Sequence, residues 1–491
     1  MAPDHSRAPF LEVLDDYHRL DRYGFTPPGH RQGRGADDRV VRVLGEQPFR
    51  ADVLASSGVD DRQSSAGFLS AAEDLMADAV GADSVFFSTC GSSLSVKAAM
   101  MAVAGSGGTD GGLLLSRDAH KSVVAGLIFG GIEPRWITPQ WDAERHLSHP
   151  PSPEQVEQAW QRHPDAAGAL VVSPSPYGTC ADIRGIAEVC HRRGRPLIVD
   201  EAWGAHLPFH DDLPTWAMNV DADVCVTSVH KMGAGFEQGS ILQTRGDRVD
   251  ADHLSQCADL LMTTSPNVLV YAALDGWRRQ MVERGADILG RTLHLAKDTR
   301  SAIADLSGFT VMENELLGHQ ASHDLDRLQI LVDVSDTGTT GYRCADWLRE
   351  HHRIDVGMSD HRRILATMSM ADDETTATRL LDGLTELAGV AHTFGGQGSV
   401  HLPSPGEVQL ETVTSPREAF FGATEMVPAE QAAGRIAAEQ LTPYPPGIPA
   451  VVPGERLNDP VIEYLRTGLT AGMAVPDAAD GSLDHLRVVA T

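Results

Sequence analysis

From Asp83 to Thr244 short apolar runs alternate with longer amphipathic ones. Short apolar runs bounded by turn formers read as buried strands. They fall at Ser84–Phe87, Gly112–Leu115, Ala169–Val172, Leu197–Asp200, Val224–Thr227 and Ser240–Gln243. Stretches of helical spacing lie between several of them, such as Ser93–Val103 and Ile183–Arg193. This alternation predicts an α/β fold: a mostly parallel central sheet with helices on both faces. Ligands of such sheets bind beyond the C-terminal ends of the strands.

Further along, Asp275–Ala304 reads as one long helix leading to a second domain. Strand-like Leu328–Val334 and helical Thr376–Ala388 predict a smaller α/β domain. Gly395-Gly396-Gln397-Gly398-Ser399 and Pro403-Ser404-Pro405 mark a linker. Beyond it, the Pro-rich Thr442–Pro449 is stiff and apolar enough to predict packing against a neighbour. The expected division is an N-terminal segment, 1–45, a large domain, 46–300, a small α/β domain, 301–395, and a C-terminal domain, 396–491.

At 491 residues, two or three domains are expected. Hydrophobic residues make up 42%, which argues against global disorder, and the net charge of −28 argues against a nucleic-acid binder. No apolar run reaches membrane-spanning length, so no membrane partner is expected. Cys90, Cys180, Cys190, Cys225, Cys257 and Cys344 are scattered without a CxxC pair, as expected of reduced thiols in the cytoplasm. The start, Met1-Ala2-Pro3-Asp4-His5, does not resemble a signal peptide. His146, His149, His351 and His352 lack a matching ligand set, so no metal is expected.

The chemistry gathers at strand ends. Lys231 follows the strand ending at Thr227, Asp200 closes another, and 31 residues separate the two. Pyridoxal phosphate needs a lysine amine to hold its aldehyde as a Schiff base, and a carboxylate to keep its pyridine nitrogen protonated. Ser228 and His230 flank that lysine, and a hydroxyl such as Ser228's, three residues before it, can reach a phosphate. Gly91-Ser92-Ser93 opens a helix, where backbone N–H groups and two hydroxyls would cradle a phosphate. His120 follows the Gly112–Leu115 strand, where an imidazole would lie flat on a pyridine ring, and Ser173–Gly178 follows another strand. Taken singly, each has a plainer use: a solvated lysine, a capping aspartate, an N-cap serine, a structural histidine.

Together these residues match a known family. The chain resembles the Orn/Lys/Arg decarboxylases, fold-type-I pyridoxal phosphate enzymes that decarboxylate basic amino acids. The likeness is carried by Pro28–Gly33, Gly91–Ser93, Arg117–Ser122, Ser173–Gly178, Asp200–His206, Ser228–Lys231 and Thr264–Pro266. Pro416–Phe420, Pro443–Pro449 and Pro453–Glu455 extend it to the C-terminal part. It resembles the family's short form, without an N-terminal wing domain. Two positions depart from the pattern: Glu237 stands in place of a threonine near the cofactor, and Gly357 in place of an acid.

The resemblance implies that Lys231 carries pyridoxal phosphate, His120 stacks on its ring and Asp200 pairs with its ring nitrogen. It further implies that Gly91, Ser92, Ser93, Ser228 and His230 hold the phosphate, with Ala202 and Ser173 completing the contacts. The expected reaction is loss of CO2 from a basic L-amino acid, arginine or lysine before ornithine. The expected assembly is a homodimer or larger homo-oligomer with shared active sites. Competing readings are another pyridoxal phosphate reaction on an amino acid (transamination, racemisation or oxidative deamination) and a non-catalytic partner-binding homologue.

Overall fold

In the computed structural model, which describes residues 3–62, 66–105, 111–394, 400–404 and 406–490, the six expected strands form within a residue or so of their predicted bounds. The backbone divides into two units, one comprising Met1–Val103 and Cys190–Leu289, the other Ala104–Val189 and Gly290–Thr491.

The first unit carries four sheet strands in the order Ser84–Ser88, Ser240–Thr244, Val224–Ser228, Leu197–Asp200. Leu197–Asp200 runs parallel to Val224–Ser228, with Asp200 opposite Val226. Ser240–Thr244 runs antiparallel to both of its neighbours. Val224–Ser228 is buried at every position, which is why an uninterrupted apolar run reads as a central strand. Helix Phe68–Val80 packs Leu69, Ala72 and Met76 inward, at the spacing of one helix face.

The second unit carries three sheet strands, Ala169–Val172, Leu113–Ser116 and Pro134–Ile137, all parallel. Its small antiparallel sheet orders Thr310–Val311, Gln329–Asp333, Arg363–Thr367 and Met358–Ser359, with helices Gly341–His352 and Glu374–Val390. Leu147, Met312, Leu325, Leu331 and Leu365 form an apolar cluster there. A separate core joins helix Asp459–Ala471 to the strand pair Thr424–Pro428 and His485–Val489, through Val461, Leu465, Val427, Leu486 and Val488.

The predicted Asp275–Ala304 helix begins earlier, at Val268. Gly395–Ser399 and Pro405 of the expected linker lie outside the described residues. The Pro-rich stretch is packed: Lys121 N–H donates to the Gly447 carbonyl (3.0 Å), and Arg117 donates to the carbonyls of Pro449 (2.5 Å) and Ala450 (3.1 Å). No helix among the described residues is long and apolar enough to cross a membrane.

Candidate active site

Asp200 ends its strand with 3% of its surface exposed, and its carboxylate accepts the Ala202 N–H (3.2 Å). On the neighbouring strand the chain continues past Ser228 into the short helix Val229–Met232, which carries Lys231. Burial pushes the Asp200 carboxyl up from the usual carboxylate range, and the Lys231 charge opposes that shift. Burial pushes the Lys231 amine down, and the Asp200 charge opposes that too. Desolvation disfavours both charges and each charge partly rescues the other. The Lys231 ammonium lies 4.6 Å from the centre of the Trp203 ring.

The loop after Lys231 folds back and fixes this corner. The Gly239 carbonyl accepts the N–H groups of Val229 (3.0 Å) and His230 (3.3 Å), and lies 3.1 Å from His230 Nδ1. The adjacent Gln238 carbonyl accepts the Gly91 N–H at 2.9 Å. Gly91 has φ +77°, which a side chain rarely adopts. Helix Ser92–Gly105 starts at the next residue, so its first N–H groups have no intrahelical acceptor. Ser228 Oγ donates to Ser92 Oγ at 2.7 Å across 136 residues of sequence. Ser228 is fully buried, Ser92 half-buried and Ser93 exposed.

Within one unit, the structure thus assembles a lysine amine in electrostatic reach of a buried carboxylate, and two paired hydroxyls at a helix start. This donor set fits pyridoxal phosphate: an amine for an aldehyde, an anion for a pyridinium, and an N-terminal helix dipole with hydroxyls for a phosphate. Glu237, the departure beside Lys231, is exposed. At the other departure, a side chain added to Gly357 would meet Thr367 Oγ1 at 2.7 Å.

The second unit holds the other two expected residues at the ends of its parallel strands. His120 caps helix Lys121–Gly130, accepting the Ser122 N–H at Nδ1 (3.2 Å). A Cβ on Gly447, whose φ is +93°, would lie 3.1 Å from its ring, so a side chain there would strain the backbone and press on the imidazole. Ser173 is 1% exposed and its hydroxyl accepts the Ala181 N–H (3.1 Å).

Trp203 and the carbonyls of Gln238 and Gly239 received no role from the sequence. Trp203 stood inside a recognised motif, three residues after Asp200, which was the available signal. A backbone carbonyl leaves no side-chain signature at all.

Comparison with known proteins bears on what this arrangement belongs to. Residues 8–376 match the Orn/Lys/Arg decarboxylase major domain, and residues 404–477 match the C-terminal domain of that family. The arginine decarboxylase of Bacillus subtilis (strain 168) is 37% identical over 471 residues, covering 95% of this chain and 94% of that protein. The arginine decarboxylase of Bacillus anthracis is 35% identical, covering 98% and 97%. The crystal structure of the Francisella novicida lysine decarboxylase LdcF shares the fold with TM-score 0.80 at 20% identity, over 98% of this chain and 81% of that one. Serine palmitoyltransferase of Sphingomonas wittichii matches more loosely, with TM-score 0.54 at 17% identity over 74% of this chain and 86% of that one. With a family match over most of its length and relatives of this identity end to end, the chain belongs to the Orn/Lys/Arg decarboxylase family.

Proposed function

We infer that this protein decarboxylates a basic L-amino acid with pyridoxal phosphate, and that arginine is the substrate. The observation that carries the reading is the buried Asp200 carboxylate in electrostatic reach of the Lys231 amine. Arginine is favoured because the relatives at 35–37% identity, matched over nearly their whole length, are named arginine decarboxylases.

When bound, pyridoxal phosphate supplies an aldehyde for an amine and an electron sink for the bond that breaks at the substrate Cα. The chain's own residues bind and orient. Lys231 offers an amine whose proton affinity burial has lowered, so less work is needed to free its lone pair at neutral pH. Asp200 holds a negative charge out of water, where it favours a proton on a ring nitrogen placed against it. Ser92, Ser93, Ser228, His230 and the Gly91 turn would hold the phosphate, Ala202 and Ser173 would line the cofactor, and the family resemblance gives His120 the role of stacking on its ring. After CO2 leaves, Lys231 or a neighbouring histidine returns a proton to Cα.

We assign an N-terminal segment to 1–45 and the large, small and C-terminal domains to 46–300, 301–395 and 396–491; one family match ending at 376 and another beginning at 404 support the last boundary. A homodimer or larger homo-oligomer in the cytoplasm completes the proposal; none of the six cysteines forms a disulfide, which suits a reducing compartment.

The test is product analysis on the purified protein with pyridoxal phosphate, given L-arginine, L-lysine and L-ornithine in turn. CO2 and agmatine from arginine, at the highest kcat/KM of the three, is the expected result. A keto acid or a D-amino acid would overturn the reaction, and a preference for lysine would overturn the substrate. Lys231→Ala should lose both turnover and the yellow colour of the covalently held cofactor.

A further inference from the structure

Within the second unit, the His120 ring is held at both edges. At one edge, Nδ1 accepts the Ser122 N–H (3.2 Å) and lies 3.0 Å from Ser122 Oγ. At the other stands Gly447, where a Cβ would lie 3.1 Å from Cδ2 and 3.2 Å from Nε2 of the imidazole. The last torsion of a histidine side chain is broad and picks no single well by itself. Contacts at both edges therefore decide which way the ring faces point.

Gly447 is the tip of a strap that the fold ties down. At its base, the Ala450 N–H donates to the Leu441 carbonyl (2.9 Å), and the Leu441 N–H donates to the Val451 carbonyl (3.1 Å). At the tip, the Gly447 N–H donates to the Pro443 carbonyl (3.1 Å). The Gly447 carbonyl in turn accepts the N–H of Lys121, the residue after His120 (3.0 Å). Arg117 donates to the Pro449 and Ala450 carbonyls and pairs with buried Glu455 at 3.2 Å. Four prolines between 443 and 449 fix φ along the strap, so its tip has little freedom to swing away.

We propose that Gly447 is a positioning residue for the reaction: the strap sets the angle of the His120 ring, and through it the flat contact of that ring with the cofactor. The proposal rests on the stacking role that the family resemblance gives His120. The strap falls in the C-terminal match, 404–477, and His120 in the major-domain match, 8–376. The C-terminal domain thus acts on the cofactor through this imidazole.

The experiment has two arms, both on the full-length chain. In the first, protein dialysed free of cofactor carries 13C-labelled histidine, and the His120 ring signal is the one missing from His120→Ala. Gly447→Ala should shift that signal, and an unshifted signal would overturn the clamp. The second arm titrates the same proteins with pyridoxal phosphate, followed by absorbance and by the visible circular dichroism of the bound cofactor. Gly447→Ala should alter the dichroism and raise the Kd by about 2- to 10-fold, the worth of a displaced aromatic stack. In the His120→Ala background the same substitution should change the Kd by less than about twofold, because the new Cβ then meets no ring. An equal loss in both backgrounds would mean backbone strain alone and would overturn the proposal. Parental affinity in His120→Ala would overturn the stacking role, and the proposal with it, while a shifted signal in the first arm left the clamp standing. Should Gly447→Ala not fold, relaxation of the His120 ring signal in the parent decides. A clamped ring is as ordered as rigid backbone, with an order parameter of about 0.85, and a value under about 0.6 would overturn the clamp.

Discussion

The hydroxyl pair Ser92–Ser228 gives the sharpest quantitative test of how the proposed phosphate cradle is built. Ser228 Oγ is buried and donates to Ser92 Oγ at 2.7 Å, at the start of helix Ser92–Gly105. Removing either hydroxyl deletes this bond and, in the proposed cradle, one polar contact to a bound phosphate. A hydrogen bond to a charged group contributes about 1.5–3 kcal/mol. Ser228→Ala and Ser92→Ala should therefore each raise the Kd for pyridoxal phosphate by about 10- to 150-fold. Because each hydroxyl orients the other, the second deletion removes less than the first. The double variant should fall short of the summed effects by about 0.5–1.5 kcal/mol. The assay is titration of dialysed protein with pyridoxal phosphate, followed by absorbance, with circular dichroism checking the fold. Affinities within twofold of the parent in both single variants, or strict additivity, would refute the cradle as drawn.

Three further outcomes concern the scaffold. Arg278→Ala removes a fully buried guanidinium that pairs with buried Asp275 (2.8 Å) and donates to the carbonyls of His5 (3.0 Å) and Arg7 (2.5 Å). It leaves a buried carboxylate short of its cation, which should cost about 3–5 kcal/mol in urea unfolding; a loss under about 1 kcal/mol contradicts the pairing. Glu201 is fully buried, and burial holds its carboxyl well above the ordinary 4.5. A raised acid stabilises the fold fully below that ordinary value and loses its contribution as pH climbs toward the folded value, at about 1.4 kcal/mol per pH unit. Glu201→Gln lacks this loss, so its unfolding free energy should fall less than the parent's from pH 5 upward; identical slopes would sink the assignment. Gly112 has φ +69°, and a Cβ there would lie 2.1 Å from the Glu133 carbonyl oxygen. Gly112→Ala should lower the melting temperature measurably, whereas an unchanged value would show that the turn yields freely.

Much of the site was legible because its residues sit where local pattern breaks. Asp200 ends an apolar run and Lys231 follows another, and both positions are visible without knowing any contact. The Gly91-Ser92-Ser93 turn announced itself through a glycine before a helical stretch. The antiparallel direction of Ser240–Thr244 was not legible, since an apolar run reads the same in either direction. The part of the Gln238 and Gly239 carbonyls in holding Gly91 and His230 was hidden for the same reason, because backbone groups are common to every residue. The Arg117–Glu455 pair joins residues 338 positions apart, and no window of sequence contains both.

By itself, the sequence determined which segments become strands and helices, where the core faces lie, and which amine and which carboxylate close the central strands. Periodicity and the burial preferences of side chains are local properties, written within a few residues of each position. The tertiary structure alone decided that Ser92 meets Ser228, that Gly239 anchors His230, and that the Asp118 carboxylate is buried where it accepts the Ser116 hydroxyl. Those outcomes depend on strand order, chain direction and the removal of water around charges, none of which exists until distant segments pack together.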